Sequence, residues 1–215
     1  MSARIFNLGM LVLALALAGC ATKKACDYSV FRAHPPRSIV VLAPLNESTD
    51  VKGAYSYLST VTRPLAEMGY YVFPVAEVDE LMKENGLPTA YEMQQAPLDK
   101  IGQIIGADSV LYVTLRQYGS KYEIISSVTT VTADAKLVDV KTGLTLWEGS
   151  TTAQQGSGDS GGGIIGALIT AAASQIVNST TDPAHQVSSM VNYQLFTPKD
   201  GGLLPGPYYP NDKKQ

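Results

Sequence analysis

The chain has 215 residues, of which 45% are hydrophobic and 16% are charged, and its formal net charge is −3 at pH 7. The apolar fraction is too high for an intrinsically disordered protein and predicts a packed core. No stretch has more than two adjacent basic residues. Because nucleic acid is bound by clustered Lys and Arg, this mildly acidic composition argues against a nucleic-acid partner.

Residues 1–19 have the pattern of a secretory signal peptide. Arg4 lies in a short charged start, and the apolar run at 9–18 has about half of the roughly 20 residues that a membrane-spanning helix needs. The run ends in Leu17-Ala18-Gly19-Cys20, which resembles the lipobox of bacterial lipoproteins. The resemblance implies cleavage after Gly19 and acylation of Cys20. The alternative is an ordinary signal peptide in which a cysteine stands at this position by chance.

The residues around Cys20 also predict a location. Two or three acyl chains, at about 0.8 kcal/mol per buried methylene, hold a protein far more firmly than one myristoyl chain. Ala21, and not aspartate, follows the cysteine, which by the sorting rule of such lipoproteins favours the outer membrane. We expect the globular part to face the periplasm. Residues 20–37 form a lipidated tether, in which Cys26 is either a spare thiol or the site of an intermolecular bridge.

The first half of the mature chain alternates predicted strands with predicted helices. Continuous apolar runs bounded by turn formers predict buried strands at 38–44, 70–74 and 109–115. Apolar residues spaced three and four apart predict helices over 58–68, 78–82 and 98–105. Pro64 falls inside the first of these helices, so we expect a kink or a new helix start there.

The second half changes to a period of two. Alternating residues at 124–131, 133–138 and 144–152 predict an antiparallel meander, with a turn at 139–143. The predicted fold is α/β, with a mixed sheet, a βαβα N-terminal half, an antiparallel C-terminal half and C-terminal helices. It forms a single domain over 38–198 with a Gly-rich hinge at 156–163, followed by a Pro- and Gly-rich tail at 199–215.

Three segments resemble known envelope proteins. SIVVLAPLNEST, IGQIIGADSVLYV and LVDVKTGLTLWEG are similar to the periplasmic domain shared by the TolB N-terminal region and the curli-secretion lipoprotein CsgG. Over nearly its whole mature length, including YEMQQAPLDKIGQIIGAD and GGLLPGPYYP, the chain resembles a family of outer-membrane lipoproteins of unknown function that accompany CsgG. The resemblance implies a TolB-like α/β periplasmic domain with a role in envelope assembly or export.

Motifs for catalysis, cofactors and metals are missing from the sequence. With two histidines, His34 and His185, one subunit cannot build a His-rich zinc site. The glycine run at 156–163 lacks the Lys-Ser or Lys-Thr pair of a phosphate-binding loop. His185 lies near Asp182, but no G-x-S-x-G elbow is present, so we expect an exposed or capping histidine. No catalytic, cofactor or metal residue is predicted.

The segment IIGALITAAASQIV, residues 164–177, is the predicted assembly element. Fourteen helical residues reach about 21 Å, which is short of a hydrocarbon core near 30 Å. The segment is nevertheless too apolar to remain in water, and the candidate interface residues are Ile164, Ile165, Leu168 and Ile169. One alternative is that it packs on its own sheet; we expect it to pack on a neighbouring subunit.

Two classes of function are compatible with these patterns. The first is a non-enzymatic, lipid-anchored outer-membrane lipoprotein that forms a homo-oligomer or docks onto other envelope lipoproteins as an accessory subunit. The second is a periplasmic enzyme or small-ligand-binding protein with an unrecognised site. The absence of catalytic motifs favours the first.

Overall fold

The structure, a computed structural model, describes residues 26–122, 127–156, 182–198 and 201–210. Its strands are β1 Ser38–Val41, β2 Leu45–Asn46, β3 Tyr71–Val72, β4 Ser109–Tyr122, β5 Ser127–Asp139 and β6 Thr145–Gly156. Its helices are α1 Ser29–Ala33, α2 Gly53–Glu67, α3 Val75–Glu84, α4 Ala90–Gln94, α5 Leu98–Ile104 and α6 Pro183–Phe196.

The six strands form one mixed sheet in the order β3-β1-β4-β5-β6, with β2 paired to β4. The pairs β3–β1, β1–β4 and β2–β4 are parallel, and the pairs β4–β5 and β5–β6 are antiparallel. Parallel neighbours in a sheet need crossover connections, whereas antiparallel ones do not. The predicted α/β fold, with crossovers first and a meander afterwards, is therefore confirmed.

The meander has fewer and longer strands than the periodicity predicts. Residues 127–131 of the first predicted run and all of the run at 133–138 belong to one strand, β5, which pairs with β4 along its whole length. The start of the first run, 124–126, lies outside the described residues. The ladder shifts register between Leu115 and Gln117, so one extra residue of β4 is accommodated without ending the strand. The predicted turn at 139–143 is present: the Asp139 carboxylate accepts from the Thr142 amide at 2.7 Å, and Gly143 has a φ of +70°.

The two faces of the sheet are covered differently. On one face, which we call the covered face, residues of α1, α2 and α6 pack with residues of β1, β4, β5 and β6 and form the larger core. On the other face, α3, α4 and α5 enclose a smaller core over β1 and the start of β4. The rest of that second face, on β4, β5 and β6, carries polar side chains, and we call it the open face. One polar face is usual for an antiparallel sheet.

Helix α2 continues through Pro64 and ends at Glu67, so of the two expected outcomes, a kink or a new helix start, the new start does not occur. The proline lies near the end of the helix, where the loss of one backbone hydrogen bond disturbs the helix least. Leu58, Val61 and Leu65 are buried in the larger core and hold this helix on the sheet. Tertiary packing therefore outweighs the local cost of the proline.

The folded part extends beyond both ends of the predicted 38–198 domain. Phe31, in the segment predicted as a tether, is 3% exposed and lies in the larger core. From the segment predicted as a tail, the Gly201 carbonyl accepts from Trp147 Nε1 at 2.9 Å and the Gly202 carbonyl accepts from the Tyr28 hydroxyl at 2.6 Å. A side chain at Gly69 would collide with the backbone of Tyr209, because the tail crosses that glycine closely. Contacts of aromatic side chains therefore hold the predicted tether and the predicted tail on the domain, although the Pro and Gly content of these segments is typical of linkers.

Candidate functional site

The residues predicted to carry function lie outside the described part of the structure. These are the lipidation residue Cys20, the glycines at 157–163 and the candidate interface residues Ile164, Ile165, Leu168 and Ile169. The nearest described residues are Cys26, which is an exposed free thiol, Gly156 at the end of β6, and Asp182 before α6. Three features of the described part remain as candidate sites: a polar cluster, the open face, and the outer edge of β6.

The polar cluster joins α2, β4 and the start of α6 through Ser56, Tyr118, Asp182 and His185. The Ser56 hydroxyl lies 2.6 Å from the Tyr118 hydroxyl and 3.1 Å from His185 Nδ1. Asp182 Oδ2 lies 3.3 Å from the Tyr118 hydroxyl and 3.5 Å from Ser56 Oγ. Asp182 Oδ1 accepts from the backbone amides of Ala184 and His185, which caps α6.

This geometry does not form a hydrolytic triad. In such a triad a carboxylate orients the imidazole by accepting from the ring nitrogen opposite the one that faces the serine. Here Asp182 bonds a helix end and two hydroxyls, and no carboxylate in the described residues bonds the His185 ring. Burial raises the pKa of the Tyr118 phenol, and the hydrogen bond that this phenol donates to Ser56 Oγ opposes that shift. The cluster therefore fastens α6 to α2 and β4. The cap of α6 is Asp182 and not the histidine: the ring of the half-buried His185 contacts Ser56, so the expectation of an exposed or capping histidine is wrong.

Metal ligands are not grouped in the described residues. No set of three or more His, Cys, Asp or Glu side chains lies close enough there to hold an ion. Nor does any helix in the same ranges have the length and apolarity needed to cross a membrane.

The open face carries a charged network that crosses three strands. Arg116 Nε donates to Asp134 Oδ2 at 2.7 Å, and Arg116 Nη1 donates to Glu47 Oε2 at 2.5 Å. Ser150 Oγ on β6 donates to Asp134 Oδ1 at 2.6 Å. The Ser150 hydrogen bond, together with the Arg116 guanidinium, lowers the pKa of Asp134. These contacts stabilise the register of β4, β5 and β6 on the open face.

A cleft of about 910 Å³ lies between α4 and the open face. Gln94 holds α4 in place, because its side-chain amide donates to the carbonyls of Ala43 and Val113 at 3.0 Å each. Tyr91 on α4 faces solvent, and Lys136 Nζ lies 5.9 Å from the centre of the Tyr112 ring. The walls mix aromatic, amide and charged side chains of both signs, and the cleft is wide open to solvent. It resembles a surface groove more than the enclosed, mainly apolar pocket typical of small ligands.

The outer edge of β6 is the third candidate site. Strand β6 pairs with β5 on one side, and the structure records no backbone hydrogen bond from its other side to any described residue. The opposite edge of the sheet is different: β3 is two residues long, and the Tyr208 amide donates to the Gly69 carbonyl just before it. Long unpaired edges are ready to pair with another strand. The alternating residue pattern of β6 predicts a strand from the sequence alone. The position of this strand at the edge of the sheet is known only from the strand order in the structure.

Comparison with known proteins identifies relatives. Residues 26–208 match the family described as "Putative lipoprotein GNA1162-like". The chain is 46% identical over 198 residues to "Putative lipoprotein NMB1124/NMB1162" of Neisseria meningitidis serogroup B, covering 91% of this chain and 92% of that protein. The crystal structure of lipoprotein GNA1162 from Neisseria meningitidis matches with a TM-score of 0.56 and 47% identity, over 67% of this chain and 100% of that one.

A further likeness is to a PelC dodecamer from Paraburkholderia phytofirmans, with a TM-score of 0.46 and 12% identity over 81% of this chain and 91% of that one. It is too distant to bear on function. The resemblance to TolB and CsgG is not tested by these matches and stays a prediction. The match over residues 26–208 and the 46% identity along almost the whole chain are decisive for the family. The chain therefore belongs to the GNA1162-like lipoprotein family.

Proposed function

We propose that this chain is a lipid-anchored outer-membrane lipoprotein that works without catalysis as an accessory subunit in cell-envelope assembly or export. Acyl chains on Cys20 hold it to the membrane, and the globular domain faces the periplasm. It assembles with copies of itself and docks onto other envelope lipoproteins. Membership of a lipoprotein family and the lipobox at Leu17-Ala18-Gly19-Cys20 support the anchor.

The start of the fold limits how far the domain stands from the membrane. Tyr28 and Phe31 already contact the domain, since the Tyr28 hydroxyl donates to the Gly202 carbonyl and Phe31 is buried in the larger core. Between Cys20 and Tyr28 a fully extended chain spans at most about 30 Å. A domain on so short a connection works beside the membrane, which suits a subunit of a membrane-bound assembly.

The observation that carries the assembly role is the part of the sheet that no described element covers. Strands β4, β5 and β6 present a polar open face, and the outer edge of β6 pairs with no described residue, while helices pack on the covered face. The described part of the chain holds no enclosed catalytic constellation, and the cleft beside α4 is an open groove. Surfaces of this kind bind other proteins more readily than they enclose a substrate.

The apolar residues at 164–177 add a second contact to the proposal. Ile164, Ile165, Leu168 and Ile169 follow the edge strand β6 in the chain and precede α6. As an assembly element they would pack on a neighbouring subunit, which removes their side chains from water. Packing on the chain's own sheet is the alternative.

The anchor is tested by replacing Cys20. In cells fed a labelled fatty acid, Cys20→Ala should abolish labelling and leave uncleaved precursor or soluble protein. Cys26→Ala is the matched control and should be labelled like the parent. A processed, unlabelled Cys20→Ala protein that stays with the membrane fraction would contradict the proposed anchor. Crosslinking followed by purification of the parent would identify its envelope partners.

A periplasmic hydrolase is the second candidate, and the 3.1 Å contact between Ser56 and His185 Nδ1 favours it. A serine activated by an imidazole reacts with fluorophosphonate probes. Labelling of the parent, but not of Ser56→Ala, would support a hydrolase. We expect no labelling of either protein, because the imidazole has no orienting carboxylate among the described residues.

A further inference from the structure

We infer that β6 pairs antiparallel with β6 of a second copy of this chain, about a two-fold axis that passes near Thr151. The pairing would join two sheets into one. The inference rests on the self-assembly part of the proposed function and names the surface that carries it out.

The first step is that the edge is long, regular and unpaired. From Trp147 to Gly156, every residue of β6 lies opposite one residue of β5, and the irregularity of this ladder is confined to Leu137/Val138 near the start of β6. Ten residues of strand are about 33 Å long. Over this length no outward backbone group bonds a described residue. Unmet backbone donors and acceptors on such an edge favour the addition of a strand.

The second step is that the edge lacks the features by which proteins prevent such pairing. Native edge strands are protected by lysine, proline, bulges or short length. In β6 there is no lysine and no proline, Glu148 is its one charged residue, and the bulge lies at the far end near Leu146. Its exposed positions are mainly Ser, Thr and Gln, which are compatible with a neighbouring strand. The edge is therefore suited to a strand partner.

The third step is the register. A two-fold axis perpendicular to the sheet keeps the open faces of both copies on one side, so directly opposite residues must share a face. Centring the axis on Thr151 places Ser150 opposite Thr152 and Glu148 opposite Gln154 of the second copy. Like charges then do not meet. On the covered face the same register sets Gly149 opposite Ala153, so small residues meet where helices from both copies come closest.

The fourth step explains why the occupant is a second copy. An edge with a single charge offers little to steer a strongly acidic or basic segment from another protein. A two-fold pairing makes every contact twice from one sequence. The nine residues at 147–155 that pair in this register supply about eight to ten main-chain hydrogen bonds, which is within the usual range for a stable interface. Anchoring in one membrane also raises the effective concentration of identical copies.

The first experiment is disulfide trapping at the axis. In the mature chain with Cys20→Ser and Cys26→Ser, Thr151→Cys places two thiols opposite each other, with Cα atoms about 5 Å apart, within the range of a disulfide. Mild oxidation should give a covalent dimer. The matched control is Thr132→Cys, which lies one strand further in, so that the two copies are roughly 14 Å apart and cannot be bridged. Equal crosslinking of both variants, or of neither, would overturn the inference.

The second experiment changes charge at an exposed pair. Ser150→Lys with Thr152→Lys sets lysine opposite lysine across the proposed axis, whereas Ser150→Lys with Thr152→Glu sets lysine opposite glutamate. Both positions are exposed, so both variants should keep the fold and show the parent circular dichroism. In sedimentation equilibrium the dissociation constant of the Lys/Lys dimer should be at least tenfold higher than that of the Lys/Glu dimer.

The outcomes separate this inference from the proposed function. Equal association of the Lys/Lys and Lys/Glu variants, in a parent that is oligomeric, would overturn edge pairing and leave the assembly role standing. If the parent is monomeric and the Thr151→Cys variant gives no covalent dimer, both edge pairing and self-assembly are overturned. Acyl labelling of Cys20 and the capture of other envelope proteins would still test the rest of the proposed function.

Discussion

At the scale of single residues, the core of the sheet depends on β1. This strand lies between β3 and β4, and its side chains alternate between the two hydrophobic cores: Val41 points into the larger core and Val40 into the smaller one. Both are at most 1% exposed. A strand with no solvent-facing side is the arrangement that its continuous apolar run predicts.

We therefore expect Val41→Asp to unfold much of the protein, because an unpaired carboxylate in the core costs several kcal/mol. The matched control is Val51→Asp, since Val51 is 87% exposed and the same change should leave stability within about 0.5 kcal/mol. Thermal unfolding followed by circular dichroism checks both variants. A Val41→Asp melting temperature within a degree or two of the parent would show that β1 is not central.

Two buried tyrosines differ in the partners of their hydroxyl groups. Tyr57 is completely buried and its hydroxyl has no hydrogen-bond partner among the described residues, whereas the Tyr70 hydroxyl donates to the Leu204 carbonyl. Burial raises the pKa of both phenols. Because a buried unpaired hydroxyl costs roughly 1–3 kcal/mol, Tyr57→Phe should be neutral or raise the free energy of unfolding.

Tyr70→Phe is the counterpart, and losing its bond to the tail should lower the free energy of unfolding by about 1 kcal/mol. Urea unfolding of both variants measures the difference. The interpretation fails if Tyr57→Phe is destabilised as much as Tyr70→Phe, since the Tyr57 hydroxyl would then have a stabilising partner.

At the scale of elements, the three long strands are linked on the open face by the charges around Arg116. The network joins the segment after β2 to β4, β5 and β6 through Glu47, Asp134 and Ser150. The pKa of Asp134 is lowered in the folded protein. Its carboxylate therefore stabilises the fold fully at pH values above the ordinary aspartate pKa near 4, and this contribution is lost as the pH falls from there through the lowered pKa of the folded protein.

We expect Asp134→Asn to lower the free energy of unfolding at pH 7 and to have a much smaller effect near pH 3. The parent loses the same contribution at low pH when the carboxylate becomes protonated. Urea unfolding at both pH values measures this, and Glu80→Gln, which alters an exposed carboxylate, is the control. An Asp134→Asn effect of the same size at pH 7 and pH 3 would mean that the ionised carboxylate does not contribute.

Some elements could be predicted from local pattern, and others could not. The strand at 38–41 and the turn at Gly143 follow from apolar runs and turn chemistry, which depend on neighbouring residues alone. The contacts of Tyr28, Trp147 and Tyr70 with residues 201–204 join segments far apart in the chain, so no local pattern predicts them. The Ser56 cluster was missed for the same reason, because its members come from three separate elements.

At the scale of the whole molecule, the lipoprotein family and the fold could be anticipated, while the assembly surfaces could not be fully placed. The resemblance over nearly the whole mature chain, including YEMQQAPLDKIGQIIGAD and GGLLPGPYYP, points to the lipoprotein family, which the match over residues 26–208 shows. The edge position of β6 depends on the strand order of the complete sheet, which periodicity does not contain. The candidate interface at 164–169 lies outside the described residues, so its role rests on its apolar composition.

The most direct test of the assembly claim is sedimentation velocity of the mature chain with Cys20→Ser, measured at tens of micromolar, with and without Leu168→Glu and Ile169→Glu. We predict that the parent sediments as an oligomer and that the double variant shifts toward the monomer with its circular dichroism retained. A monomeric parent, or a double variant that unfolds, would contradict the claim and show that residues 164–177 belong to the chain's own core.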